Sequence, residues 1–251
     1  MGSIEFKNNA LLSLRDEDIV VAETSTLPYA VRSVEPGKIR VFLKPKDGIF
    51  VAAVPVRYTS EVVGKVQDVY PAMAAAKNVL HTSLQNGNPV IHPTVTLLNA
   101  ALIERTRGDF FFYEEGVTPV VGRLIKAIDQ ERIAIGQALD VEILPDPEIG
   151  YMQGYMAETT YDKGYSKAPG FQGIKAQDSL DYRYFHEDVG YGLVFLQSLA
   201  EQIGVETPYI STVIRLVSLL MERDYLAESK RTMESLGLAG NSVEKLILLL
   251  T

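Results

Sequence analysis

Hydrophobic positions change their period near residue 90, and the change divides the chain in two. Before it, apolar residues come in short runs bounded by Gly, Pro and charged residues. Asp18-Ile19-Val20-Val21-Ala22 is compact, Lys38-Ile39-Arg40-Val41-Phe42-Leu43 alternates, and Gly48 to Val56 is apolar almost throughout. Runs of about four to eight such residues predict strands, and the unbroken third run predicts one covered on both faces. From Ser60 to Tyr70, Val62, Val63, Val66 and Val69 recur at helical spacing. A further strand is expected over Asn78 to Leu84, with His81 inside it. Strand, helix, strand implies an α/β unit with a parallel sheet.

Beyond residue 90 the period is helical. Val95, Leu97, Leu98, Leu102 and Ile103 form one stripe. Thr118-Pro119 opens a segment reaching about Leu144, with Val121, Leu124, Ile125, Ile128, Ile135 and Leu139 on its apolar side. Thr207-Pro208 opens another, carrying Ile210, Val213, Ile214, Val217, Leu220 and Met221. In both, Thr suits the N-cap and Pro the first helical position. Asn241 to Leu250 predicts a last short helix capped by Asn241 or Ser242. Gly150 to Gly173, with five Gly and four Tyr, reads as a loop. The pattern assigns residues 1–90 to an α/β piece and 91–251 to a mainly α-helical one.

Composition narrows what such a chain can do. Its 251 residues are 47% apolar and 22% charged, enough for a sizeable core. Acidic residues exceed basic ones, 32 to 24, for a net charge of −8, which argues against nucleic acid or an anionic membrane as partner. The absence of Cys excludes disulfides, thiolate catalysis and Cys-ligated zinc, and fits a cytoplasmic protein. No basic-then-apolar leader opens the chain, and no apolar run approaches the roughly 20 residues that span a bilayer. No metal site is expected.

Three His are the starting points for chemistry. His81 reads as a solvated or hydrogen-bonded strand residue, and His186, beside Glu187 and Asp188, as a surface His among acids. His92 directly precedes Pro93, which fits the first turn of a helix, so its imidazole is expected at a helix N-terminus beside a strand end, where α/β sites lie. Capping or packing explains that position as well as chemistry does. The helix dipole disfavours imidazolium and a nearby carboxylate favours it, so a partner acid is the thing to seek. Asp181 to Leu193 offers Arg183, Glu187 and Asp188 among Tyr182, Tyr184, Phe185 and Tyr191. Arg183 has the fork for a substrate carboxylate, and Asp188 stands where it could cap the helix Val189 to Ile203. A helix start with an internal Arg–Glu pair reads the same residues without function. No nucleophile elbow, His-Glu-x-x-His, Walker loop or Gly-x-Gly-x-x-Gly is present.

Four segments in this order resemble the octopine/nopaline (opine) dehydrogenase family: Val21 to Arg32 (VAETSTLPYAVR), Val90 to Ala100 (VIHPTVTLLNA), Tyr182 to Val194 (YRYFHEDVGYGLV) and Gly204 to Pro208 (GVETP). The family's motif usually carries Pro where Gly190 stands. The resemblance implies an enzyme that couples an amino acid to a 2-oxo acid such as pyruvate and reduces the imine with NAD or NADP as cofactor. It implies the second half of a Rossmann-like parallel sheet followed by a helical domain, with the strand, Gly-rich turn and ribose-binding acid that hold the cofactor lying upstream of Met1. It further implies His92 as general acid/base, Asp188 as its orienting carboxylate and Arg183 as a carboxylate clamp. Glu23 would face the substrate's amino group and Asn99 the substrate, while Thr24, Leu27 and Pro28 would lie by the cofactor. Oligomeric state stays open, a homodimer among the options. Two alternatives remain: a non-catalytic remnant serving as a helical dimerisation or small-acid-binding module, and an unrelated dehydrogenase of similar layout.

Overall fold

The computed structural model describes residues 1–11 and 19–250, which leaves Asp18 of the first apolar run outside the described residues. Helix α1 (Gly2–Leu11) precedes β1 (Val21–Thr24), a hairpin of β2 (Ala30–Glu35) and β3 (Lys38–Leu43), and β4 (Ile49–Val54). Then come α2 (Thr59–Gln67) and β5 (Met73–Ala75). β4 is the middle strand of a three-stranded sheet, parallel to β5 as expected of an α/β unit but antiparallel to β1. Its apolar run is covered on both faces, with Ile49, Val51, Ala52 and Ala53 all buried. The hairpin pairs separately, Arg32 opposite Arg40 and Val31 opposite Val41.

The strand expected over Asn78 to Leu84 is a helix instead, α3 (Val79–Leu84). The Asn78 side chain accepts from the backbone N–H groups of Leu80 and His81, each at 3.1 Å, and this cap converts a short apolar run that either element could use. His81 therefore lies on a helix, its ring 4.5 Å from that of Phe50.

The helical part follows as α4 (Asn88–Leu98), α5 (Ala100–Thr106), α6 (Pro119–Ala138), α7 (Asp146–Gln153), single turns α8 (Lys163–Ser166) and α9 (Arg183–His186), α10 (Val194–Ile203), α11 (Pro208–Leu220), a turn α12 (Tyr225–Glu228) and α13 (Val243–Leu250). A π-helical turn over Asp188–Leu193 joins α9 to α10. Around α6, the buried Ile125, Ile128 and Ile135 meet α4, α10 and α11 in one core. Thr118 caps α6 as expected, accepting from Val121 N, although the helix stops at Ala138, short of Leu144. Ser242 caps α13, its hydroxyl accepting from Lys245 N at 3.3 Å. Thr207 does not cap α11 with its side chain. The Glu131 carboxylate does so from α6, accepting from Tyr209 N and Ile210 N at 2.8 Å each.

Two helix starts differ from expectation at places that matter. Pro93 does not open its helix: Gly87 is the N-cap of α4 and Pro89 occupies its first turn, so His92 sits in the second turn and Pro93 inside the helix. A second proline, upstream at Pro89, supplies the start, and Pro93 then forgoes one backbone bond early in the helix. Asp188 is not the cap of a straight α-helix but the first residue of the π turn.

Candidate active site

A buried charge network lies beneath the cleft that holds His92. Arg132, fully buried on α6, donates from Nε to Asp129 Oδ1 at 2.7 Å and from Nη2 to the Leu144 carbonyl at 2.9 Å, and Nη1 donates to the Leu84 carbonyl. Asp129 Oδ2 accepts from Asp146 N at 2.8 Å and from the Tyr161 hydroxyl at 2.6 Å. These bonds fix the start of α7, and with it the Asp146 side chain, whose Oδ2 accepts from the Tyr165 hydroxyl at 2.5 Å. Burial and the neighbouring Asp129 carboxylate push the Asp146 carboxyl up to about 6.

The cleft, of about 200 Å³, lies between the β2–β3 hairpin, with the bend before it, and the helices. Asp146 is the one carboxylate among its described lining residues, against three basic side chains, Arg32, His92 and Arg183.

His92 is held from two sides. Its Nδ1 lies 2.8 Å from Asp188 Oδ2 and its Nε2 lies 3.0 Å from the Tyr113 hydroxyl. An ionised carboxylate only accepts, so Nδ1 carries the proton toward it and Nε2 of the neutral ring accepts from the phenol. Burial raises Tyr113 well above the usual phenol range, so it remains a neutral donor. The Tyr184 ring stacks on the imidazole at 4.1 Å and 21°. The π turn lets Asp188 reach α4: Gly192 packs so closely that a Cβ there would lie 2.4 Å from Pro89 Cγ. π turns interrupt helices at functional sites more often than elsewhere.

The expected site residues distribute unevenly. His92 and Asp188 are in contact, and Arg183 and Leu27 line the same cleft as His92. Arg183 is half exposed and also forms the internal pair, its Nη2 3.3 Å from Glu187 Oε2. Glu23 and Thr24 line a neighbouring groove instead. Glu23 is held by the Met1 ammonium at 2.7 Å, the Thr82 hydroxyl at 2.6 Å and Ser3 N at 2.8 Å. Pro28 lies in the bend between β1 and β2. Asn99 sits at the α4–α5 junction, donating to the carbonyls of Val95 and Gly116 at 2.8 and 2.9 Å. His186 is partly exposed and bonded to Asp181 and Tyr225, as a surface His among acids. Sequence reasoning gave no role to Tyr113, Tyr184, Asp146 or Arg32. The aromatic run Phe110-Phe-Phe-Tyr113 and the Pro145-Asp-Pro147 helix start were the available signals.

Among the described residues no helix is long and apolar enough to cross a membrane, and no cluster of acids and His could hold a metal ion.

Comparison with known proteins bears on the whole arrangement. Residues 75–221 match the alpha-helical domain of the NAD/NADP octopine/nopaline dehydrogenases. The chain is 38% identical over 240 residues to an opine dehydrogenase of Arthrobacter sp. (strain 1C), covering 95% of this chain and 66% of that protein. It is 28% identical over 233 residues to protein ocs of Agrobacterium tumefaciens (strain Ach5), covering 91% and 63%. The chain thus spans somewhat less than two thirds of these relatives' length. Its fold is similar to octopine dehydrogenase solved with NADH and agmatine, at TM-score 0.73 and 15% identity over 97% of this chain and 68% of that one. It is also similar to apo yersinopine dehydrogenase, at TM-score 0.67 and 15% identity over 100% and 69%.

Proposed function

The chain belongs to the octopine/nopaline dehydrogenase family, and from that premise we propose that it is the substrate-binding and acid/base part of an NAD(P)-dependent opine dehydrogenase. In this reading residues 1–90 contribute to a nucleotide-binding domain and residues 91–251 form the substrate domain, working in the cytoplasm on an amino acid and a 2-oxo acid. The observation that carries it is the contact of the buried Asp188 with His92, which lines a cleft together with two arginines.

The reaction joins an amine to a 2-oxo acid, loses water from the carbinolamine and reduces the resulting imine. Nε2 of His92 first takes a proton from the amine nitrogen, making the imidazolium, and then returns it to the departing hydroxyl, which leaves as water; such a positioned acid/base contributes roughly 10²–10⁴-fold. Asp188 keeps the proton of Nδ1 directed at itself and supports the imidazolium while it exists. Tyr113 holds Nε2 until substrate takes its place. Arg183 holds a substrate carboxylate. Thr26, Leu27 and Tyr29 line the cleft, and Leu27 leaves 66% of its surface open, an apolar platform suited to one face of a nicotinamide ring. These residues would hold that ring, and the dinucleotide supplies the hydride that no side chain can.

The test follows NADH and NADPH oxidation by the complete protein with pyruvate and a panel of amino acids. Turnover that requires both substrates and falls at least about 100-fold in His92→Ala supports the reading. Reduction of a 2-oxo acid without amine, or an unchanged His92→Ala variant, overturns it.

A further inference from the structure

Arg32 brings a second guanidinium to the cleft, and it has no counter-ion among the described residues. Among those residues the arginine ion pairs are Arg132–Asp129, Arg183–Glu187, Arg223–Glu228 and Arg231–Glu5. Arg32 is in none of them. Its contacts are two phenols: Nη2 donates to the Tyr184 hydroxyl at 2.9 Å and Nη1 to the Tyr182 hydroxyl at 3.4 Å. A guanidinium has five N–H donors in a planar fork, so most of this one is unspent. The side chain is half-buried, where a lone cation is costlier than on an open surface and a carboxylate is its best complement.

The setting ties Arg32 to the chemistry rather than to the surface. Both Arg32 and Arg183 line the cleft that holds His92. The phenol that Arg32 grips belongs to Tyr184, whose ring lies on the His92 imidazole. An anion on Arg32 therefore sits one side chain from the acid/base. The lone carboxylate in the cleft wall, Asp146, is engaged by Tyr165.

We infer that Arg32 is a second carboxylate clamp, so that the cleft takes a molecule with two carboxylates, the amino acid's on Arg183 and the one derived from the 2-oxo acid on Arg32. This rests on the function proposed above, because an N-(1-carboxyalkyl) amino acid carries one carboxylate from each of its two precursors. It also assigns the β2–β3 hairpin, which carries Arg32, a share of the substrate site.

Calorimetric titration of the complete protein tests the clamp without turnover. The probes are a panel of N-(1-carboxyethyl) amino acids and the N-ethyl amino acids that lack only the second carboxylate. The wild type is expected to prefer the dicarboxylate by ~10- to 100-fold, the range of a charge-assisted pair. Arg32→Met should abolish that preference while still binding the N-ethyl compound, and Arg32→Lys should keep part of it. In kinetics, Arg32→Met should raise KM for one substrate with the other's unchanged. A wild type with no preference for the second carboxylate overturns the clamp even where turnover is found. So does an Arg32→Met variant that keeps the preference, or one that weakens both probes equally, as loss of the hairpin's anchorage would. An Arg32-dependent preference in a protein that couples no amine to any 2-oxo acid would leave the clamp standing and remove the function proposed above.

Discussion

Nδ1 of His92 and Oδ2 of Asp188 lie 2.8 Å apart, although 96 residues separate them in the chain. The contact needs two features of the helices around it. Gly87 and Pro89 start α4 early enough to place His92 in its second turn, and the π turn after α9 brings Asp188 against it. Asp188→Asn keeps the shape but replaces an acceptor-only group with one that can donate, so the preferred tautomer is lost. We expect kcat to fall by about 10²–10⁴-fold with little change in thermal stability, and the double variant with His92→Ala to be no worse than His92→Ala alone. Steady-state kinetics on all three variants checks this, and additive losses would mean the two residues act separately.

Gly192 sets how closely the π turn approaches α4. A Cβ at this position would sit 2.4 Å from Pro89 Cγ, which has no freedom to swing aside. Gly192→Ala is expected to cost roughly 1–3 kcal/mol by overpacking and to lower kcat by moving Asp188 away from His92. Denaturant melts and kinetics on the same preparation read both effects; a variant that is destabilised but fully active would show that the turn's position is not critical.

Long periodic segments were the legible part of the fold. The stripes of α2, α11 and α13 and the runs of β3 and β4 lie where their spacing predicts them, and α6 starts where predicted but ends earlier. Short segments were not, because an apolar run such as Val79 to Leu84 suits either element until its cap decides. Asn78 is the visible sign of that cap, and only its two backbone contacts reveal it as one. Within the cleft, the motif residues His92, Asp188 and Arg183 could be named from resemblance. Arg32 stood in the first of those motifs, yet its role depends on the hairpin folding over the helices, which no local pattern encodes. Asp146 likewise gains its meaning from a network spanning α6, α7 and the segment around Tyr161.

The start of α11 depends on a residue far from it in sequence. Glu131 accepts two backbone N–H bonds there, and its burial, which raises its carboxyl above the usual range, is outweighed in the fold by what those donors would lose without it. Glu131→Ala should lower stability by about 1–2 kcal/mol, as removal of a good cap does, and leave both KM values unchanged. Chemical denaturation gives the first and initial rates the second. A shift in KM would place Glu131 in the substrate site rather than beneath it.

Asp146 makes stability depend on pH in a direction opposite to that of most carboxylates. Its folded pKa of about 6 lies above the unfolded value near 3.8, since burial first, and then the Asp129 charge, oppose ionisation. The folded state therefore binds the extra proton between these values. Its contribution is fully present below about pH 4 and is lost as pH rises through about 6, by an amount on the order of 3 kcal/mol at most. Asp146→Asn cannot ionise and can still accept from the Tyr165 hydroxyl, so its curve should lack this fall. Unfolding free energies measured at intervals from about pH 4 to about pH 7 should show the wild type losing ground to the variant across that window. Parallel curves would mean that Asp146 ionises in the fold as readily as in the unfolded chain, its charge supported by the α7 N-terminus on which it stands.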